Sequence, residues 1–130
     1  MQRIYTSTGF WLALLMALSQ ALNAFRAFTD PVGFAAYLGL PLVDVQDIGF
    51  VHVYGLRALF IALLVGLFLW QKDLRAVQWT AVAALVMPLG DVLLTVNAGA
   101  STGTVVRHVL IAVVVGATAL LIWRWRRAQA

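Results

Sequence analysis

The chain has 130 residues, no cysteine, 63% hydrophobic and 11% charged residues, a net charge of +4 and a mean hydropathy of +0.94. Soluble domains carry roughly 45–50% apolar and about 25% charged residues, so a water-soluble fold of this composition would expose large apolar patches, and disorder needs the opposite balance. The missing cysteines exclude disulfide scaffolds, thiolate zinc sites and cysteine nucleophiles.

A membrane-spanning helix needs about 20 predominantly apolar residues. No charge lies between Arg3 and Arg26, which places a first span near residues 8–27. A second, near 48–70, is interrupted only by Arg57. A third, near 76–97, contains only Asp91, and a fourth, near 104–123, opens with Arg107 and His108. Each has to be helical, because an open strand in lipid leaves its backbone groups unpaired. The expected fold is all-α: one integral membrane domain over residues 1–130, built as a four-helix transmembrane bundle. Arg3, the apolar run Phe10–Leu18 and the small residues around Ala21–Ala24 also resemble a cleavable signal peptide. The apolar stretch is longer than a usual signal core, and Leu22 is bulky for the cleavage motif, so the segment is read as a retained span.

The connections differ in kind. Gln71–Arg75 is a charged helix hairpin, and Ala98–Gly103 a short turn. Residues 28–47 are longer. Thr29 or Asp30 caps a helix in which Pro31 takes the first position, and Gly39 followed by Pro41 ends it. The two-turn helix Val32–Leu38 is too short to span and too apolar for open water, so it is placed at the membrane interface between the first and second spans.

With four spans, both termini and the 71–75 hairpin share one side. That side holds Arg3, Lys72, Arg75, Arg124, Arg126 and Arg127, whereas the other holds Arg26 and Arg107 among Asp30, Asp44 and Asp47. The positive-inside rule predicts cytoplasmic termini and a location in the cytoplasmic (inner) membrane. Trp70, Trp79, Trp123 and Trp125 form an aromatic belt on that side. The tail Trp123–Arg127 is read as meeting anionic headgroups rather than nucleic acid.

Charges within spans are expensive, at about 2.5–3.5 kcal/mol each near a helix centre. Arg57 lies roughly 14 Å and Asp91 roughly 9 Å from the outer ends of their spans, at 1.5 Å per residue. An Arg57–Asp91 ion pair, with Tyr54 one turn before Arg57 on the same face, is the economical solution. Pro88 frees the carbonyl of Ala84 and kinks the helix one turn before Asp91. Ser19, Asn23 and Arg26 form one stripe, with Gln20 beside it, and His52, Thr104, Arg107 and His108 lie at the same level. The inner halves, Phe60–Trp70 and Val109–Trp123, are almost wholly aliphatic. Together these predict an outward-facing polar pocket above an apolar floor, covered by residues 28–47.

The candidate ligand-binding residues are therefore Asn23, Arg26, Tyr54, Arg57, Asp91 and His108. Asp91 and Tyr54 are the candidate proton donors, and Arg57 the group that stabilises developing negative charge. Structural roles compete with each of these. Arg57–Asp91 as a register-fixing pair, Asn23 and Gln20 as helix bridges, and His108 as an interfacial group in water all remain open. Ala58, Ala62 and Gly66, like Ala112 and Gly116, repeat every fourth residue and read as close helix packing. There is no HExxH, phosphate loop or serine elbow, and no glutamate, so no metal site and no cofactor are expected. His52 and His108 as haem ligands, or with Asp91 as metal ligands, are the alternative.

Asp30-Pro31, Gly33-Phe34, Gly39-Leu40-Pro41, Tyr54-Gly55-Leu56-Arg57, Pro88-Leu89-Gly90-Asp91 and Arg107-His108 together resemble a family of small bacterial and fungal four-helix membrane proteins. That family is catalogued as a domain of unknown function and is distantly similar to the DoxX-like group. The resemblance covers roughly residues 10–122 and implies four helices with the same polar constellation. It implies no activity. An acidic or amide residue often follows the arginine in that family, whereas Ala58 follows Arg57 here.

The leading functional expectation is a small membrane protein that binds a quinone-, isoprenoid- or lipid-like molecule with one polar end, or binds and then isomerises or cyclises it. Whether it is an enzyme stays open. Its expected partners are membrane lipids, that molecule and further copies of itself. The alternative is a structural or accessory subunit acting through helix association without a ligand. Small four-span exporters depend on an acidic residue in their first span, and none is present here.

Overall fold

The structure is a computed structural model and describes residues 4–130. Helices are the only regular secondary structure among the described residues: α1 (Thr8–Thr29), α2 (Pro31–Leu38), α3 (Ile48–Trp70), α4 (Leu74–Ala84), α5 (Val86–Asn97) and α6 (Thr102–Ala128). Single 3-10 turns occupy Ile4–Thr6 and Val45–Asp47. Four segments are long and apolar enough to cross a membrane: α1, α3 with the turn before it, α4 with α5, and α6. Leu15, Leu18 and Leu22 on α1, Phe60 and Leu63 on α3, and Leu110 and Val113 on α6 all point outward and are exposed. Such a surface suits hydrocarbon, where the helices satisfy their own backbone groups. Arg3, counted above among the basic residues, lies outside the described residues.

Local chemistry sets the helix ends. The Asp30 carboxylate accepts from the Gly33 N–H at 3.0 Å, with Pro31 in the first helical position. Gly39 closes α2 in the left-handed region, at φ 87°. Its N–H donates to the Ala36 carbonyl and that of Leu40 to the Ala35 carbonyl at 3.1 Å, which leaves those of Tyr37 and Leu38 for partners outside the helix. The expected two-turn helix therefore forms, one residue earlier than its apolar stretch suggested. Asp73 caps α4 through the Ala76 N–H at 2.9 Å. Ser101 caps α6 through Thr104.

Two boundaries depart from expectation. The third span begins at Leu74, two residues before its expected start, and the kink expected at Pro88 divides it into two helices at Leu85. Proline lacks the N–H that would bond the carbonyl four residues earlier, and its ring crowds that carbonyl, so the break falls where the chemistry requires it. The fourth span was expected to end near 123, but α6 continues to Ala128. Nothing in Trp123–Ala128 breaks a helix, and arginines in a last turn complement its negative end.

Packing follows the order α3, α1, α6, then α4 and α5. α1 packs on both α3 and α6; α3 meets α4 but shares no packed seam with α5. Two apolar clusters pin the bundle. One joins Phe10, Leu69, Leu74, Val77 and Ile122 beside the α3–α4 turn. The other joins Ala27, Phe34, Ala35 and Val51 beneath α2. Helices cross closely at Gly55, where a Cβ would sit 2.8 Å from the Ala27 Cβ, and at Gly9, where one would sit 2.5 Å from Ile122 Cγ1. The small-residue repeats are different from expectation: Ala58 is buried, yet Gly66 faces open space and Gly116 meets only Leu85 at 3.9 Å. Gly66 lies eleven residues from Gly55 and so on nearly the same face of α3, so the gap there reflects position along the helix and not rotation about it.

Candidate functional site

Between the two clusters lies a cavity of about 510 Å³. Each wall is one helical stripe. Met16, Gln20 and Asn23 come from α1; Tyr54, Arg57, Ile61 and Val65 from α3; Pro88 and Asp91 from α5; His108, Ile111 and Val115 from α6. The spacings of three and four place each set on a single face. Ala84, Ala81 and Val77 of α4 complete the inner part, and Tyr37 and Leu38 of α2 line it from the other end. The floor is thus largely apolar, and the ionisable residues gather towards α2.

Two side chains of α6 fasten α2 to the bundle. The Arg107 guanidinium donates to the Tyr37 carbonyl, and His108 Nε2 to the Leu38 carbonyl at 3.1 Å. Both acceptors belong to the last turn of α2, whose carbonyls have no partner within the helix. A carbonyl can only accept, so Nε2 of His108 carries hydrogen. Its other ring nitrogen, Nδ1, is buried without a hydrogen bond and faces Asp91 Oδ2 at 3.7 Å. The pair lines the cavity, where an imidazole nitrogen beside a carboxyl group is the chemistry available for moving a proton.

The expected Arg57–Asp91 ion pair does not form. Among the described residues the one ion pair is His108–Asp91. The depth argument brought both residues to the same cavity, but α5 packs on α6 and has no seam with α3, so Asp91 turns to His108. Arg57 is left exposed to the cavity with no hydrogen bond and no ion pair.

Of the sequence-derived residues, Asn23, Tyr54, Arg57, Asp91 and His108 line the cavity, and Arg26 does not. Arg26 instead lies over the Tyr37 ring, 4.4 Å from its centre, and 5.7 Å from that of Phe34. Arg107 reaches the same Tyr37 ring at 3.7 Å. Of the expected stripe, Ser19 and Asn23 line the cavity with Gln20 beside them, and only Arg26 departs, bracing α2. His108, read also as an interfacial group in water, is buried. His52 stacks on Phe28 with centroids 5.0 Å apart and does not line the cavity. No group of three histidine, cysteine or acidic residues able to hold a metal ion occurs among the described residues. Sequence reading passed over Tyr37, Thr80 and Thr118, whose place in the wall rests on how α2, α4 and α6 dock.

The fold and site together define a multi-pass membrane protein whose helices surround a cavity apolar at one end and ionisable at the other. Residues 9–122 match the model of a family described as a domain of unknown function (DUF4267), and the chain belongs to that family. The further likeness to the DoxX-like group is not shown. No curated protein and no solved structure matches the chain.

Proposed function

We propose that this protein holds a lipophilic small molecule in the cavity, with its polar end against Arg57, Tyr54 and Asp91 and its hydrocarbon body on the floor formed by α3, α4 and α6. The volume, about 510 Å³, suits a small-molecule site. One observation carries the reading: Arg57 sits within a span, lines the cavity and has no partner of its own. A charge so placed is costly, and an acceptor on a ligand, such as a quinone carbonyl or the oxygens of a lipid or isoprenoid head, offsets that cost. A purely structural subunit would leave Arg57 without a role.

In the same reading α2 lies at the membrane interface, Phe34 inserted beneath it and Val32 outward, and covers the polar end of the cavity. Both termini are cytoplasmic and the membrane is the inner one. If the molecule is transformed, isomerisation or cyclisation matches the groups at hand. The His108–Asp91 pair moves the proton, Tyr54 donates a hydrogen bond, and Arg57 stabilises negative charge on oxygen.

Native mass spectrometry of detergent-purified protein, followed by solvent extraction, tests the proposal and counts chains in the same experiment. One retained small molecule per chain is expected, lost on Arg57→Met while the variant keeps its thermal stability. A wild-type chain that carries nothing, and takes up none of a panel of quinones, prenols and fatty acids, overturns it.

A further inference from the structure

The opposite end of the bundle carries a second recess, of about 320 Å³, between the start of α4 and the end of α6. Its walls include Arg75, Trp79, Trp123, Arg126 and Arg127. Arg126 is held in place, because its Nη1 donates to the Gln78 carboxamide oxygen at 2.8 Å. Gln78 itself is buried, with 6% of its surface exposed, so its direction is set by packing. The Arg127 guanidinium lies over the Trp123 ring, 4.3 Å from its centre. Ala130 also lines the recess, but no carboxylate among the described residues forms an ion pair with these cations. Among the described residues the one ion pair is His108–Asp91, and that lies in the central cavity. Asp73, two residues before Arg75, has its Oδ1 engaged in capping α4.

Three guanidiniums around one recess, one of them aimed by a buried amide, have more donors than the protein has acceptors for them. The geometry points to a phosphate-binding site between α4 and α6 that takes the phosphodiester of an acidic lipid or the phosphate of a soluble ester. A tetrahedral oxyanion accepts from several planar guanidinium forks at once, which a single carboxylate does not match. Tryptophans at the rim belong at headgroup depth, where their rings face the glycerol and first methylenes of a lipid. Basic pockets between membrane helices bind acidic headgroups in this way. The site is separate from the central cavity and does not depend on a ligand there.

The test uses the full chain in lipid nanodiscs, with phosphatidylglycerol and phosphatidylcholine as competing probes, read by native mass spectrometry after release. The wild type keeps one phosphatidylglycerol in preference to phosphatidylcholine. The pocket variant R126Q/R127Q loses retention by about tenfold or more, while K72Q/R124Q, which removes the same net charge outside the recess, keeps it. R127Q alone, whose only other contact is the Trp123 ring, serves if the double variant is unstable, and it shows a smaller loss. Displacement of the lipid by millimolar glycerol phosphate supports the phosphate site and assigns it to soluble esters; persistence supports the lipid. Equal losses in the two double variants, or no preference over phosphatidylcholine, overturn the site.

Discussion

His108 and Asp91 face each other across the α5–α6 seam, Nδ1 3.7 Å from Oδ2, while the other nitrogen of the same ring donates to the Leu38 carbonyl at 3.1 Å. One side chain thus joins the segment that covers the cavity to the acid inside it.

The first prediction separates this pair from the one that depth alone suggested. His108→Leu should cost about 1–3 kcal/mol, since it leaves a last-turn carbonyl and a carboxylate without their partner. Asp91→Asn and His108→Leu should be non-additive when combined, whereas Arg57→Met and Asp91→Asn should add. Thermal stability in detergent for the singles and both doubles measures it. Strong coupling between Arg57 and Asp91 would restore the original pairing.

Two left-handed residues should respond in opposite directions. Gly39 has φ 87°, and a Cβ there would lie 2.5 Å from Thr104 Cγ2, so Gly39→Ala should cost about 1–3 kcal/mol and loosen α2. Lys72 has φ 60° in the turn after α3. Lys72→Gly should stabilise by about 1 kcal/mol, because glycine adopts this region without the penalty of a Cβ. Chemical-denaturation midpoints and protease sensitivity near residue 40 report both.

Helix crossing gives the third. Gly55→Val should destabilise by about 1–3 kcal/mol, since a Cβ at 55 already meets Ala27 at 2.8 Å. Gly66→Ala should be neutral or gain about 0.5–1 kcal/mol, because space there is open and alanine favours the helix. Tolerance at 55 with loss at 66 would mean that α1 and α3 approach each other near Gly66 and diverge at Gly55.

Topology is tested by single cysteines, which the chain otherwise lacks. Val45 is exposed in the connection between α2 and α3, and a Val45→Cys thiol should react with an impermeant maleimide added outside intact cells. Reaction only after access from the cytoplasm would invert the orientation argued from the basic residues.

Much of this protein is determined by sequence alone, because a bilayer imposes simple rules. Four apolar stretches of about 20 residues have to be helices, and Asp30-Pro31 with Gly39 delimits α2 through bonds made within a few residues. Pro88 breaks the third span for an equally local reason. The membership of Asn23, Tyr54, Arg57, Asp91 and His108 in one cavity was also legible, since depth along a helix follows from residue count. Which of them touch was not. Depth says nothing about rotation around the bundle, and rotation sent Asp91 to His108, turned Arg26 onto Tyr37 and left Arg57 alone. The tertiary structure decided those partners through the packing order of the helices, in which α5 leans on α6 and shares no seam with α3.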